Sequence, residues 1–174
     1  LTRLRKEGVK TIDLAPVFAK AREANPELLL YYKADTHWTP EAARTAAQTI
    51  AQTLGKPTTR LSERKKRLPD PDAREITIAN SLAKSTQNLP NHRHYPATST
   101  YPARIFPELN RAEASPILLV GDSFSFPELC AIAEKGSKTP PISGLPAQLV
   151  YELDEEIDWI VGAGGATRSS LTTF

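Results

Sequence analysis

The chain has 174 residues, the length of one ordinary domain, which is enough to bury a sizeable core. Hydrophobic residues make up 40% and charged residues 24%, which is unlike a disordered chain, and no apolar run approaches the ~20 residues of a membrane-spanning helix. Lys and Arg number 22 and Asp and Glu 20, so the net charge of +2 lacks the basic excess of a nucleic-acid binder. The single cysteine, Cys130, excludes an internal disulfide framework.

Short elements are predicted over the first part of the chain. A helix ends at Gly8, a short strand follows over residues 9–14, and a second helix runs from Pro16 to about Ala24. Residues 28–33 are predicted to be extended and largely buried. Because the sequence opens on a helix end and contains no Met, we expect upstream chain to be missing, so the lack of a signal peptide does not indicate the cytoplasm.

A third helix has a strong start signal. Thr39 is its expected N-cap, Pro40 occupies the first helical position, and Glu41 places an acid in the first turn. Alanine and aliphatic residues then recur on one face, and Gly55 ends the helix.

The middle of the chain, residues 56–115, is rich in proline and predicts a loop-rich insert with a short helix over residues 76–84. Beyond it, residues 116–120 predict a buried parallel strand, and the following Gly-Asp-Ser predicts a tight turn. A helix is predicted over residues 125–136 and a further strand over residues 148–153. Residues 162–174 are small and polar and predict a flexible tail.

The Gly-Asp-Ser turn is the first candidate site. A strand that ends in this turn and leads into a helix places the Ser123 hydroxyl at the carboxyl end of a sheet, beside helix-terminal amides. Gly121 permits the sharp turn, and the Ser123 amide could stabilise an oxyanion. The alternative is that Asp122 and Ser123 only cap the turn.

The segment Asp35-Thr36-His37-Trp38 is the second candidate site. A serine becomes a good nucleophile when a neutral imidazole removes its proton, and that imidazole needs an acceptor on its other nitrogen. Asp35 is close enough in sequence to be the acceptor for His37. The alternative is that His37 and Trp38 pack beneath the third helix; the presence of both motifs at strand-to-helix junctions favours a site.

The segments YYKADTHWTPEAARTAAQTIA and ILLVGDSFS together resemble the alginate O-acetyltransferase family (AlgJ/AlgX-like), whose catalytic domain is a variant of the SGNH hydrolase fold. The Asp-x-His block precedes the serine block, which is the order of this family and the reverse of ordinary SGNH hydrolases. The resemblance implies an α/β domain over residues 1–161, SGNH-hydrolase-like, with three α/β/α layers, a parallel sheet and an insert at about 56–115. It leaves open whether the first strand of the fold is present.

The resemblance also implies roles for individual residues. Ser123 matches the nucleophile, His37 the base that activates it, and Asp35 the carboxylate that orients the base. The implied reaction moves an acetyl group onto hydroxyls of an exopolysaccharide, in the periplasm or at the cell envelope. The resemblance further implies that a membrane-bound acyltransferase partner or a small molecule supplies the acetyl group and that no cofactor is needed, while the charge balance indicates no nucleic-acid partner.

The other candidate residues rest on less specific patterns. Gly121 and Asp122 are candidates for the oxyanion or substrate site because they adjoin the serine. Trp38 could stack on a sugar, although packing against the third helix explains it equally well. Arg168 falls where a substrate-contacting arginine could lie, in a generic GAGGATR setting. The Asn that the SGNH pattern expects as an oxyanion donor is absent after Asn110.

Two further functions stay open beside the acetyltransferase. The same three residues would serve a carbohydrate esterase in which water accepts the acetyl group, and the absent Asn leaves room for a polysaccharide-binding module without activity. No metal site is predicted, because His92 and His94 lack an acidic or cysteine partner nearby and are typical of surface residues.

Overall fold

The computed structural model describes residues 1–33, 35–55, 70–79, 96, 98–107, 109–112, 115–126 and 142–162. In chain order the elements are α1 (Thr2–Lys6), α2 (Leu14–Ala24), α3 (Pro40–Leu54), β1 (Asp72–Ala79), β2 (Thr98–Ile105), β3 (Leu118–Gly121), a 3-10 turn (Ser123–Ser125), α4 (Leu145–Leu153) and β4 (Asp158–Val161). None of these helices is long and apolar enough to span a bilayer.

The strands form two small sheets. β1 and β2 pair antiparallel, with Asp72 opposite Ile105, whereas β3 and β4 pair parallel, with Leu118 opposite Asp158. A parallel pair needs a crossover connection, and α4 lies within the chain that joins β3 to β4. Within the described residues, the expected parallel pairing is present between β3 and β4, and the three-layer arrangement stays a prediction.

The main core lies between α3 and α4. Ala42, Ala46 and Ala47 of α3 are fully buried, and their small side chains allow the two helices to approach closely. α3 has the predicted bounds, and it ends at Gly55, whose φ of +72° is the left-handed region that favours glycine. Residues from both helices, from β4 and from the segments around them complete this core.

The strand predicted over residues 148–153 is wrong, because these residues belong to α4. Burial explains the error: Leu145, Leu149 and Leu153 recur at a helical spacing, but Val150 and Gln148 are buried as well. A helix that is buried on most sides shows a continuous apolar run, and such a run resembles a buried strand in sequence.

Two other predicted elements are corrected. The strand over residues 9–14 is absent, because Asp13 caps α2 by accepting a hydrogen bond from the Ala15 amide. The helix over residues 76–84 is also wrong where the structure describes it, since residues 76–79 belong to β1. Ile76 and Ile78 are buried while Thr77 is exposed, which is the period of two that a strand requires. Residues 72–79 and 98–105 of the middle segment are strands, and the expectation of a loop-rich insert stays a prediction.

Other expectations are met in part. The predicted strand near residues 116–120 is present as β3, but Leu118 and Val120 are 48% and 44% exposed rather than buried. In residues 28–33, burial alternates between buried Leu30 and Tyr32 and exposed Tyr31, as in an extended segment. The predicted helix over residues 125–136 and the tail lie almost wholly outside the described residues.

Candidate active site

The segment that carries His37 is held by its own backbone. Tyr31 and Trp38 form an isolated antiparallel bridge, and the Tyr32 amide donates to the His37 carbonyl over 3.1 Å. The intervening residues must therefore turn back on themselves. This tight turn holds His37 just before α3.

Thr39 connects this turn to the helix. Its hydroxyl accepts a hydrogen bond from the Ala42 amide at 3.3 Å and donates to the Leu29 carbonyl at 2.6 Å. The first bond is the N-cap predicted from the sequence. The second ties the start of α3 to the preceding extended segment, so the cap also fixes the base of the His37 turn.

His37 links the two candidate motifs. Its Nδ1 is 2.5 Å from Asp35 Oδ1, and its Nε2 is 2.8 Å from Ser123 Oγ. Asp35 Oδ1 also accepts the His37 backbone amide at 2.8 Å. The Asp35 side chain is only 6% exposed and that of His37 18%, so this chain of hydrogen bonds is shielded from water. Such an arrangement can orient an imidazole and let it remove the serine proton.

The turn that carries Ser123 is closed by Asp122. The Asp122 side chain accepts the Phe124 amide at 3.0 Å, and its carbonyl accepts the Ser125 amide at 2.9 Å. Both amides are therefore engaged within the turn. The structure thus contains the capping role weighed for Asp122, and the oxyanion role of the Ser123 amide stays a prediction.

Glycine is required at position 121 because a side chain there would collide with Ser125. Gly121 is absent from the positive-φ residues of the described chain, so the conformational freedom expected of it is not used. A Cβ at this position would lie 2.2 Å from Ser125 Oγ and 2.5 Å from Ser125 Cβ. The turn therefore folds back onto Gly121, and a side chain there would displace it.

Phe124 joins the two motifs through its ring. Its centroid is 5.0 Å from that of His37 and 5.5 Å from that of Trp38, which it meets edge to face. Trp38 thus packs against the serine turn, whereas the packing weighed for it is against the third helix; sugar stacking stays a prediction. Phe124 belongs to the GDSFS segment of the family resemblance, but the sequence alone does not indicate that its ring contacts His37.

A small cleft opens beside the histidine. It holds about one water-sized group. Ser143, at the start of α4, belongs to its wall, and the sequence analysis missed this residue because no motif surrounds it. Residues lining the cleft include Tyr32, His37, Trp38, Phe124, Phe126 and Ser143.

The predicted site residues therefore differ in placement. Asp35, His37 and Ser123 come together although 86 residues separate the histidine from the serine. Within the described ranges, no group of three or more His, Cys, Asp or Glu is arranged to hold a metal ion. Arg168, His92 and His94 lie outside the described residues.

The fold is shared with solved acetyltransferase structures. The O-acetyltransferase domain of Pseudomonas putida AlgJ matches with a TM-score of 0.61 at 18% identity, over 99% of this chain and 55% of that one. Pseudomonas aeruginosa AlgX matches with a TM-score of 0.57 at 21% identity, over 94% of this chain and 34% of that one. At these identities the likeness establishes the fold alone, and the family model that matches this chain describes it as an SGNH hydrolase-like domain.

The sequence identifies the family within that class. The chain belongs to the family described as SGNH hydrolase-like domain, acetyltransferase AlgX, which matches residues 1–174. It is also 39% identical over 54 residues to the alginate biosynthesis protein AlgX of Pseudomonas aeruginosa, which is 31% of this chain and 10% of that protein. The chain covers less than two thirds of each of these relatives.

Proposed function

We propose that this chain carries the catalytic centre of a serine-dependent O-acetyltransferase that acts on the hydroxyls of an alginate-like exopolysaccharide. The observation that carries the proposal is the continuous hydrogen-bond chain from Asp35 through His37 to Ser123. Membership of the acetyltransferase family supports the reaction class.

The proposed reaction has two halves. His37 Nε2 takes the proton from Ser123 Oγ as that oxygen attacks the acetyl carbonyl carbon of the donor. The bond from that carbon to the donor oxygen breaks, and the leaving oxygen receives the proton from His37, which leaves acetyl-Ser123 and a donor alcohol. In the second half a sugar hydroxyl gives its proton to His37 and attacks the same carbon. The Ser123–acetyl bond breaks, and Ser123 Oγ recovers the proton.

Asp35 supports both halves through position and charge. Its carboxylate accepts from His37 Nδ1, which leaves Nε2 without a proton and directed at Ser123. It then stabilises the imidazolium that each half-reaction creates. The low exposure of Asp35 strengthens this interaction, because water screens it little.

Alginate, the periplasm and a membrane-bound acetyl supplier form the finer part of the proposal. The printed name of the Pseudomonas aeruginosa relative concerns alginate biosynthesis, which supports a polysaccharide acceptor. We also propose that a separate membrane-bound protein delivers the acetyl group to Ser123.

The proposal is tested by trapping the intermediate. The wild-type chain is mixed with p-nitrophenyl acetate, and the acetyl group is located by peptide mass spectrometry. We expect acetylation of Ser123, its loss in Ser123→Ala, and no change in Thr53→Ala, which removes an exposed hydroxyl near the end of α3. Acetylation that persists at the same rate in Ser123→Ala would contradict the proposal.

A second measurement separates transfer from hydrolysis. With donor and a mannuronate oligosaccharide together, the proposed transferase yields acetylated sugar. Free acetate as the sole product would instead assign the chain to the carbohydrate esterases. Oligosaccharide binding with an unreactive Ser123 would assign it to the polysaccharide-binding modules.

A further inference from the structure

Ser143, which lines the cleft beside His37, carries a buried hydroxyl that the described residues leave unsatisfied. Ser143 is 0% exposed, and its Oγ has no hydrogen-bond partner among the described residues. Buried polar groups in folded proteins ordinarily have a partner, since leaving one unpaired costs folding free energy. Ser143 lines the cleft, so a group bound there can supply the missing partner.

The backbone around Ser143 is fixed in place. The Gln148 side chain donates to the Ser143 carbonyl over 3.4 Å, and the Gln148 amide donates to the Gly144 carbonyl over 3.2 Å. Gly144 is the N-cap of α4 and offers no side chain to cap it. The start of α4 therefore presents Ser143 together with the positive end of the helix dipole, which favours an oxygen bearing negative charge.

The remainder of the cleft suits a small apolar group. Its walls near His37 include the rings of Trp38, Phe124 and Phe126. The space inside accommodates about one water-sized group, which is close to the size of a methyl group. The cleft thus combines one unpaired hydroxyl with room for one carbon.

We propose that this cleft binds the acetyl group that Ser123 receives. The methyl group packs against Trp38 and Phe124, and the carbonyl oxygen accepts a hydrogen bond from Ser143 Oγ. Ser143 keeps its proton throughout and forms no covalent bond. It acts as an oxyanion donor, because its hydroxyl lies in the wall of the cleft without another hydrogen-bond partner among the described residues. This inference rests on the proposed function, because it takes Ser123 as the acylated residue.

The size of the cleft also sets the acyl specificity. A propionyl or butyryl group adds one or two methylenes that the cleft has no room for without displacing an aromatic ring. Shortening Phe126 creates that room while leaving Ser123, His37 and Ser143 in place. The inference therefore predicts two separable effects: removal of the Ser143 hydroxyl lowers the acylation rate, and shortening of Phe126 changes the length of acyl chain that is accepted.

The test compares acylation of Ser123 by p-nitrophenyl acetate, propionate and butyrate. Ser143→Ala is expected to lower the rate with acetate by about 10²-fold, the range measured for loss of one oxyanion donor. Its thermal midpoint should not fall, because the hydroxyl makes no hydrogen bond in the described structure. Phe126→Ala is expected to raise the propionate-to-acetate rate ratio about tenfold or more, as several methylenes of space are gained. Thr53→Ala is the control for both.

The outcomes distinguish failure of the acyl-site inference from failure of the proposed acetyltransferase function. If wild type acetylates Ser123 but Ser143→Ala keeps the wild-type rate, or if Phe126→Ala leaves the chain-length ratio unchanged, the cleft is not the acyl site. If Ser143→Ala does not fold, the ratio in Phe126→Ala decides alone. A wild-type chain that never acylates Ser123 overturns the proposed function and this inference with it.

Discussion

A single carboxylate oxygen governs the orientation of His37. Asp35 Oδ1 faces both the ring nitrogen and the backbone amide of His37, so it fixes the ring and the peptide together. An amide at the same position could present its NH₂ group to the ring and stabilise the wrong tautomer. Such a change would keep the position of the His37 ring but not the tautomer that accepts the Ser123 proton.

Asp35→Asn should therefore lower the rate of Ser123 acylation by about 10⁴-fold, as loss of the acceptor does in serine triads. The rate with p-nitrophenyl acetate measures the effect, and circular dichroism checks the fold. Asp13→Asn is a matched control, because Asp13 caps α2 at an exposed site and Asn caps helices equally well. A loss of tenfold or less would argue against Asp35 as the orienting group.

Gly121→Ala tests the close approach within the serine turn. The new Cβ would lie 2.2 Å from Ser125 Oγ, so the turn must shift or the protein must lose stability, by about 1–3 kcal/mol. Urea denaturation measures the loss. Adding Ser125→Gly removes both atoms that the Cβ would meet within 3 Å and should restore most of the stability. A double variant as unstable as the single one would show that the contact with Ser125 is not the cause.

At the scale of elements, α3 and the motifs at its start could be predicted from sequence because local chemistry decides them. Thr39, Pro40 and Gly55 each act within one turn of chain, and all three occupy their predicted places. The Asp35–His37 pair is local for the same reason. Its contact with Ser123, in contrast, could be inferred only from the family resemblance, because sequence spacing carries no information about the path between them.

The missed elements depend on packing at a distance. α4 is buried on most sides, so its apolar run hides the helical period, and Ser143 at its start has no motif to mark it. β1 carries only a short alternating run around Ile76 and Ile78, and Pro102 interrupts β2. Their mutual pairing and shared burial therefore decide that they form a sheet. Such tertiary stabilisation overrides weak local preference.

Thr39→Val tests the cap at the start of α3. The change keeps the shape of the buried side chain but removes the bonds to the Ala42 amide and the Leu29 carbonyl. Loss of the cap and an unsatisfied carbonyl should lower the free energy of unfolding by about 2–3 kcal/mol. Thr39→Ser retains the hydroxyl and should recover most of it. Equal stability of the two variants, measured by urea denaturation, would contradict the role of the hydroxyl.

Across the whole molecule, the β1–β2 sheet supports the segment that leads to the candidate site. Tyr101 of β2 packs edge to face on Tyr32 with centroids 4.8 Å apart, and its hydroxyl accepts the Lys33 amide at 2.9 Å. Lys33 is close in sequence to Asp35, so a residue of the middle segment anchors the chain just before the His37 turn. The segment that the family resemblance leaves unmatched thus takes part in positioning the site.

Tyr101→Phe keeps the ring contact with Tyr32 and removes only the bond to the Lys33 amide. We expect the acylation rate to fall by about tenfold, because a small displacement of His37 weakens its alignment with Ser123. Tyr31→Phe, which alters an exposed tyrosine on the same segment, is the control. If Tyr101→Phe acylates at the wild-type rate, the β1–β2 sheet supports the fold without affecting the alignment of His37 with Ser123.

Acid stability should depend on an ion pair that joins the 109–112 segment to β4. Arg111 Nε donates to Asp158 Oδ1 over 2.8 Å, and this bond holds the pKa of the Asp158 carboxyl below its ordinary value. A carboxyl whose pKa is lower in the folded chain stabilises that chain above its unfolded pKa, near 4, and loses the contribution as pH falls through the folded pKa. Because Arg111 is 48% exposed, salt should screen the effect.

Arg111→Ala should therefore reduce stability at pH 7 and leave it nearly unchanged at the acid end of the range, so that the two stability curves converge as pH falls. Urea denaturation from pH 7 down to about 2.5 measures both curves, a range that spans the ordinary pKa of aspartate. The double variant with Asp158→Asn isolates the pair, since Asn can still accept the Trp159 amide that Asp158 now accepts. A difference that persists unchanged at low pH or in about 1 M salt would mean that Arg111 contributes by packing rather than through the Asp158 carboxylate.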